Sequence, residues 1–128
     1  MDIEMIIVDE SHASAADAVK EAVAVAARVM KVENATAEVS IVGDAFMKKN
    51  VLAYPAPTGF PRPDLGGKRD LGEMYVNPGY IALHGEDLRF MAVHAFLHLL
   101  GYDHGEDKET AMMQEKEEEI LKSFPTPA

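Results

Sequence analysis

Three histidines stand close together in His94-Ala95-Phe96-Leu97-His98-Leu99-Leu100-Gly101-Tyr102-Asp103-His104. On an α-helix, residues four apart are separated by about 40° in projection, so His94 and His98 leave one face and can share a small ion. His104 could not join them on a continuing helix, where it would stand about 9 Å further along and about 240° around. Gly101 supplies the break, because glycine takes φ > 0, ends a helix and lets the chain fold back to bring His104 to the same ion. Three imidazoles form a zinc set, and three protein ligands leave the fourth tetrahedral position to water, as in catalytic sites. Zinc lowers the pKa of bound water from about 15.7 to about 7, which makes hydroxide available at neutral pH.

The competing explanation is a set of core histidines. The helix that carries them is apolar nearly all round, with Leu88, Phe90, Val93, Phe96, Leu97, Leu99 and Leu100. Two histidines buried there without partners would be costly, and a metal relieves that cost. The spacing H-x-x-x-H-x-x-G-x-x-H is shared with metzincin peptidases, which place a glutamate general base directly after the first histidine. Here that position is Ala95, which can neither accept nor donate a proton, so a peptidase is rejected.

Composition narrows the field. The 128 residues suit one domain over 1–128 with room for a core of its own. The chain has no cysteine, which excludes disulfides, thiolate nucleophiles, iron–sulfur clusters and cysteine-based zinc sites, so any metal falls to His, Asp or Glu. Twelve Lys+Arg against 22 Asp+Glu give −10, which argues against coating nucleic acid or anionic membrane through bulk positive charge. The acidic start, Met1-Asp2-Ile3-Glu4, does not resemble a secretory signal, and no apolar run is long enough to span a bilayer. A soluble, cytoplasmic protein without a membrane partner is expected.

The elements that must position the histidines follow from periodicity. Ile3–Val8 reads as a buried strand, and Ser11 to Ser14 can cap a helix over Ala15–Lys31 whose apolar residues follow helical spacing. Ala37–Val42 alternates as a half-exposed strand, Asn50–Tyr54 is a strand stopped by Pro55, and Glu73–Val76 is a last short strand ended by Asn77-Pro78-Gly79. Between them, residues 55–67 hold four prolines and three glycines, the composition of a restricted loop. A helix over about Glu86–Leu100 carries His94 and His98. A second, over Asp107–Ser123, buries Ala111, Met112, Ile120 and Leu121, with Met113 as a further candidate. Its acidic run Glu115–Glu119 reads as a solvated face. The fold class is α/β (α+β): a small mixed β-sheet of about four strands packed with helices, with the zinc site on a central apolar helix.

The segment from His94 to His104 resembles the YbeY family of bacterial endoribonucleases of ribosomal-RNA maturation, whose pattern reads His-Gly-x-Leu-His-Leu-x-Gly-Tyr-Asp-His. Ala95 replaces the family glycine. Asn50-Val51-Leu52-Ala53-Tyr54-Pro55 is similar to the family's Asn-Val-Leu-Ser-Phe-Pro strand, and Leu71-Gly72-Glu73-Met74 to its Leu-Gly-Asp/Glu-Ile strand. The resemblance spans about Asn50–Leu121 and implies one Zn2+ on His94, His98 and His104, metal-dependent RNA cleavage, and ribosomal RNA or ribosomal particles as partners. The family's Asn-x-x-Tyr/Phe-Arg segment has no counterpart, since Ile41–Lys49 is short and lacks arginine. Lys48, Lys49, Arg62 and Arg69 are the candidates to replace that basic residue, and the sequence selects none of them.

Asp103 could orient an imidazole from behind the metal or simply bond its own turn. Glu73 is a candidate proton acceptor, with a solvent-facing strand residue as the alternative. Tyr102 either contacts substrate or packs over the glycine turn, while His12 and His84 stand outside the spacing. Lys48 to Asp70 is the basic stretch, with five Lys/Arg against two Asp. Bulk acidity implies a weak, salt-sensitive grip on RNA and a possible protein partner for targeting. A zinc hydrolase of a non-RNA substrate and a ribosome-associated module with structural zinc are the other readings.

Overall fold

The structure, a computed structural model, describes residues 1–57, 63–103 and 106–124. Along the chain run β1 (Asp2–Ile7), α1 (Ala16–Val29), β2 (Ala35–Ile41), β3 (Val51–Pro55), β4 (Arg69–Val76), α2 (Pro78–Leu83), α3 (Leu88–Leu99) and α4 (Asp107–Lys122). Short 3-10 turns occupy Glu10–Ala15 and Pro63–Leu65. The four strands form one sheet in the order β1-β2-β4-β3. β1, β2 and β4 are parallel, and β3 runs antiparallel to β4 along one edge, giving the expected mixed sheet.

Helices cover one face. Val19, Val23 and Ala26 of α1 and Ala92, Phe96 and Leu97 of α3 share a buried core with Val39, Ile41, Met74 and Val76 of the sheet. Burial of this apolar surface is the main stabilising term. The opposite face carries the alternate residues of each strand. Register sets Glu4 opposite Glu38, and Glu38 opposite Glu73, with Tyr54 of β3 facing Glu73 from the other side. Among the described residues, no helix is long and apolar enough to cross a membrane.

β4 begins at Arg69, four residues before the strand expected from Glu73. Pairing with β2 steps from Asp70 to Gly72, leaving Leu71 as a bulge that breaks the alternation. Gly72 itself has φ +116, and a Cβ there would lie 2.6 Å from the Ala56 nitrogen. Glycine is what lets the end of β3 come this close to β4.

Helix α2 was not anticipated, because Asn77-Pro78-Gly79 reads first as a strand stop. The same residues start a helix: the Asn77 side chain accepts from the Tyr80 N–H at 3.1 Å, and Pro78 takes a first-turn position that needs no donor. Buried Asn77 also donates to Asp44 and to the Met47 carbonyl, both at 2.9 Å. It thereby anchors the turn that leads to Lys48 and Lys49.

Four smaller expectations change. Ile3–Val8 reads as a buried strand, but β1 is an edge of the sheet, so Ile6 and Val8 are exposed and Ile3, Met5 and Ile7 only partly buried. Asp9, not Ser11 or Ser14, supplies the cap, accepting from the Ser11 N–H at 3.0 Å; the 3-10 turn then runs directly into α1, which has no side-chain cap. In β2, Thr36 and Glu38 face outward, but Ser40 is buried because the strand is central and its neighbours cover it. On α4, the buried stripe is Met113, Glu117 and Ile120, while Ala111 and Met112 are exposed and Leu121 is half-buried. The stripe therefore includes one member of the acidic run, and Glu117 is only 4% exposed.

Candidate metal centre

Helix α3 is fixed at both ends. Asp87 caps its start, accepting from the Phe90 N–H at 2.8 Å. At the other end Gly101 has φ +103, the Gly101 N–H donates to the His98 carbonyl, and the Tyr102 N–H donates to that of Leu97, both at 3.1 Å. This paired closure is a Schellman motif, so the expected glycine break occurs where Gly101 stands. Its consequence is chemical, because the turn brings the Tyr102 carbonyl back to His98 Nδ1 at 2.8 Å. A carbonyl oxygen can only accept, so Nδ1 must carry the proton, and the neutral ring keeps its lone pair on Nε2.

That lone pair points at the other histidine. His98 Nε2 and His94 Nε2 lie 3.2 Å apart, with the rings edge to face at 4.7 Å between centroids. The helical spacing of four residues thus aims two imidazole nitrogens at one point. Tetrahedral zinc with bonds of 2.0–2.1 Å to nitrogen sets its ligand nitrogens about 3.3–3.4 Å apart. The separation and the donor chemistry fit such an ion. Behind His94, on the side away from His98, Glu117 Oε2 lies 3.5 Å from Nδ1.

The histidines line a cleft of about 480 Å³ between α3 and the outer edge of β3. Lys49, Asn50 and Leu52 form one wall, and Gly101, Tyr102 and Asp103 close the end. Asn50 is held by its own links: its amide donates to the two Glu86 carboxylate oxygens at 3.3 and 3.2 Å, and its side-chain oxygen accepts from the Val51 N–H at 2.7 Å.

The candidates separate clearly. His94, His98, Lys49 and Asp103 come together in this cleft. Lys48 and Arg69 do not line it, and Glu73 lines a different cleft on the opposite face of the sheet, with Glu4, Glu38, Asp64 and Asp70. There the Tyr75 hydroxyl donates to Glu73 at 3.0 Å; burial first, and then this carboxylate, raises the Tyr75 phenol above its ordinary range. His104 and Arg62 lie outside the described residues. Among the described residues, no group of three His, Asp or Glu side chains is gathered as a metal set. Of the other two histidines, His84 stacks on Tyr80 at 3.9 Å and His12 lies 3.9 Å from Asp9, both away from the cleft. Glu117 was missed, although its placement between Met113 and Ile120 at helical spacing was a readable signal of an inward-facing side chain.

Comparison with known proteins bears on this arrangement. The family model described as Endoribonuclease YbeY matches residues 5–125. The chain belongs to the YbeY family. Among curated YbeY relatives, one from Nitrobacter hamburgensis is 39% identical over 84 residues, covering 56% of this chain and 43% of the relative. Another, from Clostridium botulinum, is 60% identical over 35 residues, 27% of this chain and 21% of the relative. The chain thus spans less than half the length of these YbeY relatives in the matched regions. The solution structure of TM1509 from Thermotoga maritima superposes with a TM-score of 0.56, covering 94% of this chain and 87% of that one. At 20% identity that likeness speaks to the fold alone.

Proposed function

We propose that this chain is a zinc-dependent endoribonuclease acting in ribosomal-RNA processing in the cytoplasm, with one Zn2+ on His94, His98 and His104 and water completing the set. The observation that carries the zinc reading is the pair of imidazole nitrogens 3.2 Å apart in a cleft. Family membership supports the reaction class, endonucleolytic cleavage of RNA. A bound zinc ion supplies Lewis acidity, polarising a phosphoryl oxygen and acidifying water.

The chain's own residues do the rest. Tyr102, through its carbonyl, keeps the His98 ring in the orientation that presents Nε2 to the cleft. Lys49 is the cation among the described residues that line the cleft, and its ammonium offsets the charge of a backbone phosphate brought there. Lys49 takes the place of the arginine that the family pattern would put upstream of this strand. β3 is an edge of the sheet, so its outer main-chain N–H groups can donate to phosphate oxygens of an RNA strand lying in the cleft.

Two measurements test this reading. Structured ribosomal RNA incubated with zinc-loaded and with chelated protein should be cleaved only by the loaded form; equal cleavage by verified metal-free protein overturns the proposal. Ribosomal particles bound without cleavage would favour a binding module with structural zinc instead, and hydrolysis confined to small esters a different hydrolase. Lys49→Ala should weaken RNA binding and lower the slope of log K against log salt by about 1, read by fluorescence anisotropy across a salt series. An unchanged slope would remove Lys49 from phosphate contact.

A further inference from the structure

We infer that Glu117 is a positioning residue for the metal centre: its carboxylate holds the His94 ring with the proton on Nδ1 and so commits Nε2 to the metal. This rests on the zinc reading above and goes beyond it, since it assigns to α4 a part in the site. The geometry is specific. Glu117 Oε2 lies 3.5 Å from His94 Nδ1, on the far side of the ring from the Nε2 that faces His98 at 3.2 Å. The two histidines are then held by different devices. His98 is set by a hydrogen bond to a main-chain carbonyl four residues on, whereas His94 Nδ1 faces a carboxylate from another helix at the longer distance of 3.5 Å.

Glu117 also stands where a carboxylate is hard to explain by packing. It occupies the middle of the Met113–Ile120 stripe, and both of those neighbours are fully buried. An apolar residue of similar size would suit that stripe better in the metal-free protein, because a buried carboxylate carries a desolvation cost that neutral imidazole only partly offsets. A cation on the opposite side of the ring changes the balance. Histidine basicity toward a metal rises when the second ring nitrogen donates to a carboxylate, and loss of such a partner typically weakens metal binding 10–100-fold. The inference therefore has a signature that packing alone does not: the same substitution should help the empty protein and harm the loaded one.

The test uses the full chain with Glu117→Gln and Glu117→Leu. Zinc affinity, measured by competition with a chromophoric chelator, should fall 10–100-fold in both variants. The melting temperature of metal-free Glu117→Leu should equal or exceed the wild type's, while its rise on adding zinc should shrink. In the metal-free wild type, the ¹H–¹⁵N signal of His94 Nδ1 should be protected from exchange by Glu117, and in Glu117→Leu it should be lost to exchange. Zinc affinity within twofold of wild type in Glu117→Gln, with an unchanged ring signal in Glu117→Leu, overturns the inference. Should Glu117→Leu fail to fold, the glutamine variant decides by affinity. A wild-type chain that binds no zinc overturns the zinc reading instead, and the ring signal of the metal-free protein then decides on Glu117 alone.

Discussion

Replacing His98 with alanine should abolish stoichiometric zinc and reduce metal-dependent RNA cleavage by more than about 100-fold. A structural zinc set contributes about 10–16 kcal/mol of binding, so one ligand of a small set represents about 3 kcal/mol or more. The fold should survive. His98 is only partly buried, and its ring bond to the Tyr102 carbonyl contributes about 1 kcal/mol. Metal analysis, circular dichroism and the cleavage assay on one preparation separate these effects. His84→Ala is the matched control, since His84 stacks on Tyr80 away from the cleft and its loss should leave zinc content unchanged. Undiminished zinc in His98→Ala would place the metal elsewhere.

The second large effect concerns the scaffold. Phe96 lies two residues from each histidine, on the opposite side of α3, and is fully buried in the core shared with the sheet and α1. Truncation to alanine removes that packing and leaves a cavity, a loss of about 3–5 kcal/mol against a total stability of about 5–15 kcal/mol. With a urea dependence of about 2 kcal/mol per molar, the unfolding midpoint should fall by about 2 M. Phe96→Leu retains most of the volume and should lose about half as much or less. Because Phe96 does not face the cleft, zinc should still bind the folded Phe96→Ala protein and raise its midpoint by mass action. A midpoint unmoved by Phe96→Ala would mean that α3 is not seated on the core as described.

Much of this was readable from local rules. The His94–His98 pair and the Gly101 break needed only helical geometry and the freedom of glycine, and both stand in the structure with the Nε2 atoms converging. Helices α1 and α3 followed from their apolar spacing, since both pack into the single core; β1 reads as buried, and as an edge strand it is not. What local rules could not give depends on neighbours distant in sequence. β4 starts early because β2 pairs with it from Ala35 and Thr36 onward, so Arg69 and Asp70 are held in a strand that their own polarity would not favour, ahead of the residues that β3 reaches. The face of α4 is set by position and not by charge or apolarity alone: Met112 is exposed and Glu117 buried, the reverse of what their side chains suggest. Placing Lys49 on the cleft, and Lys48 and Arg69 off it, required the cleft itself, which forms only where β3 and α3 meet.

The row Glu4–Glu38–Glu73 runs straight across three adjacent strands on the face that the helices leave uncovered. Neighbouring strands are about 4.8 Å apart, so these like charges oppose the pairing that aligns them. Sheets of this kind are prone to stack on one another through an uncovered face, and two copies approaching here would bring two such rows into contact while already sharing a charge of −10 each. The repulsion that opposes the pairing within one sheet thus also opposes stacking between two, and so disfavours face-to-face association of copies.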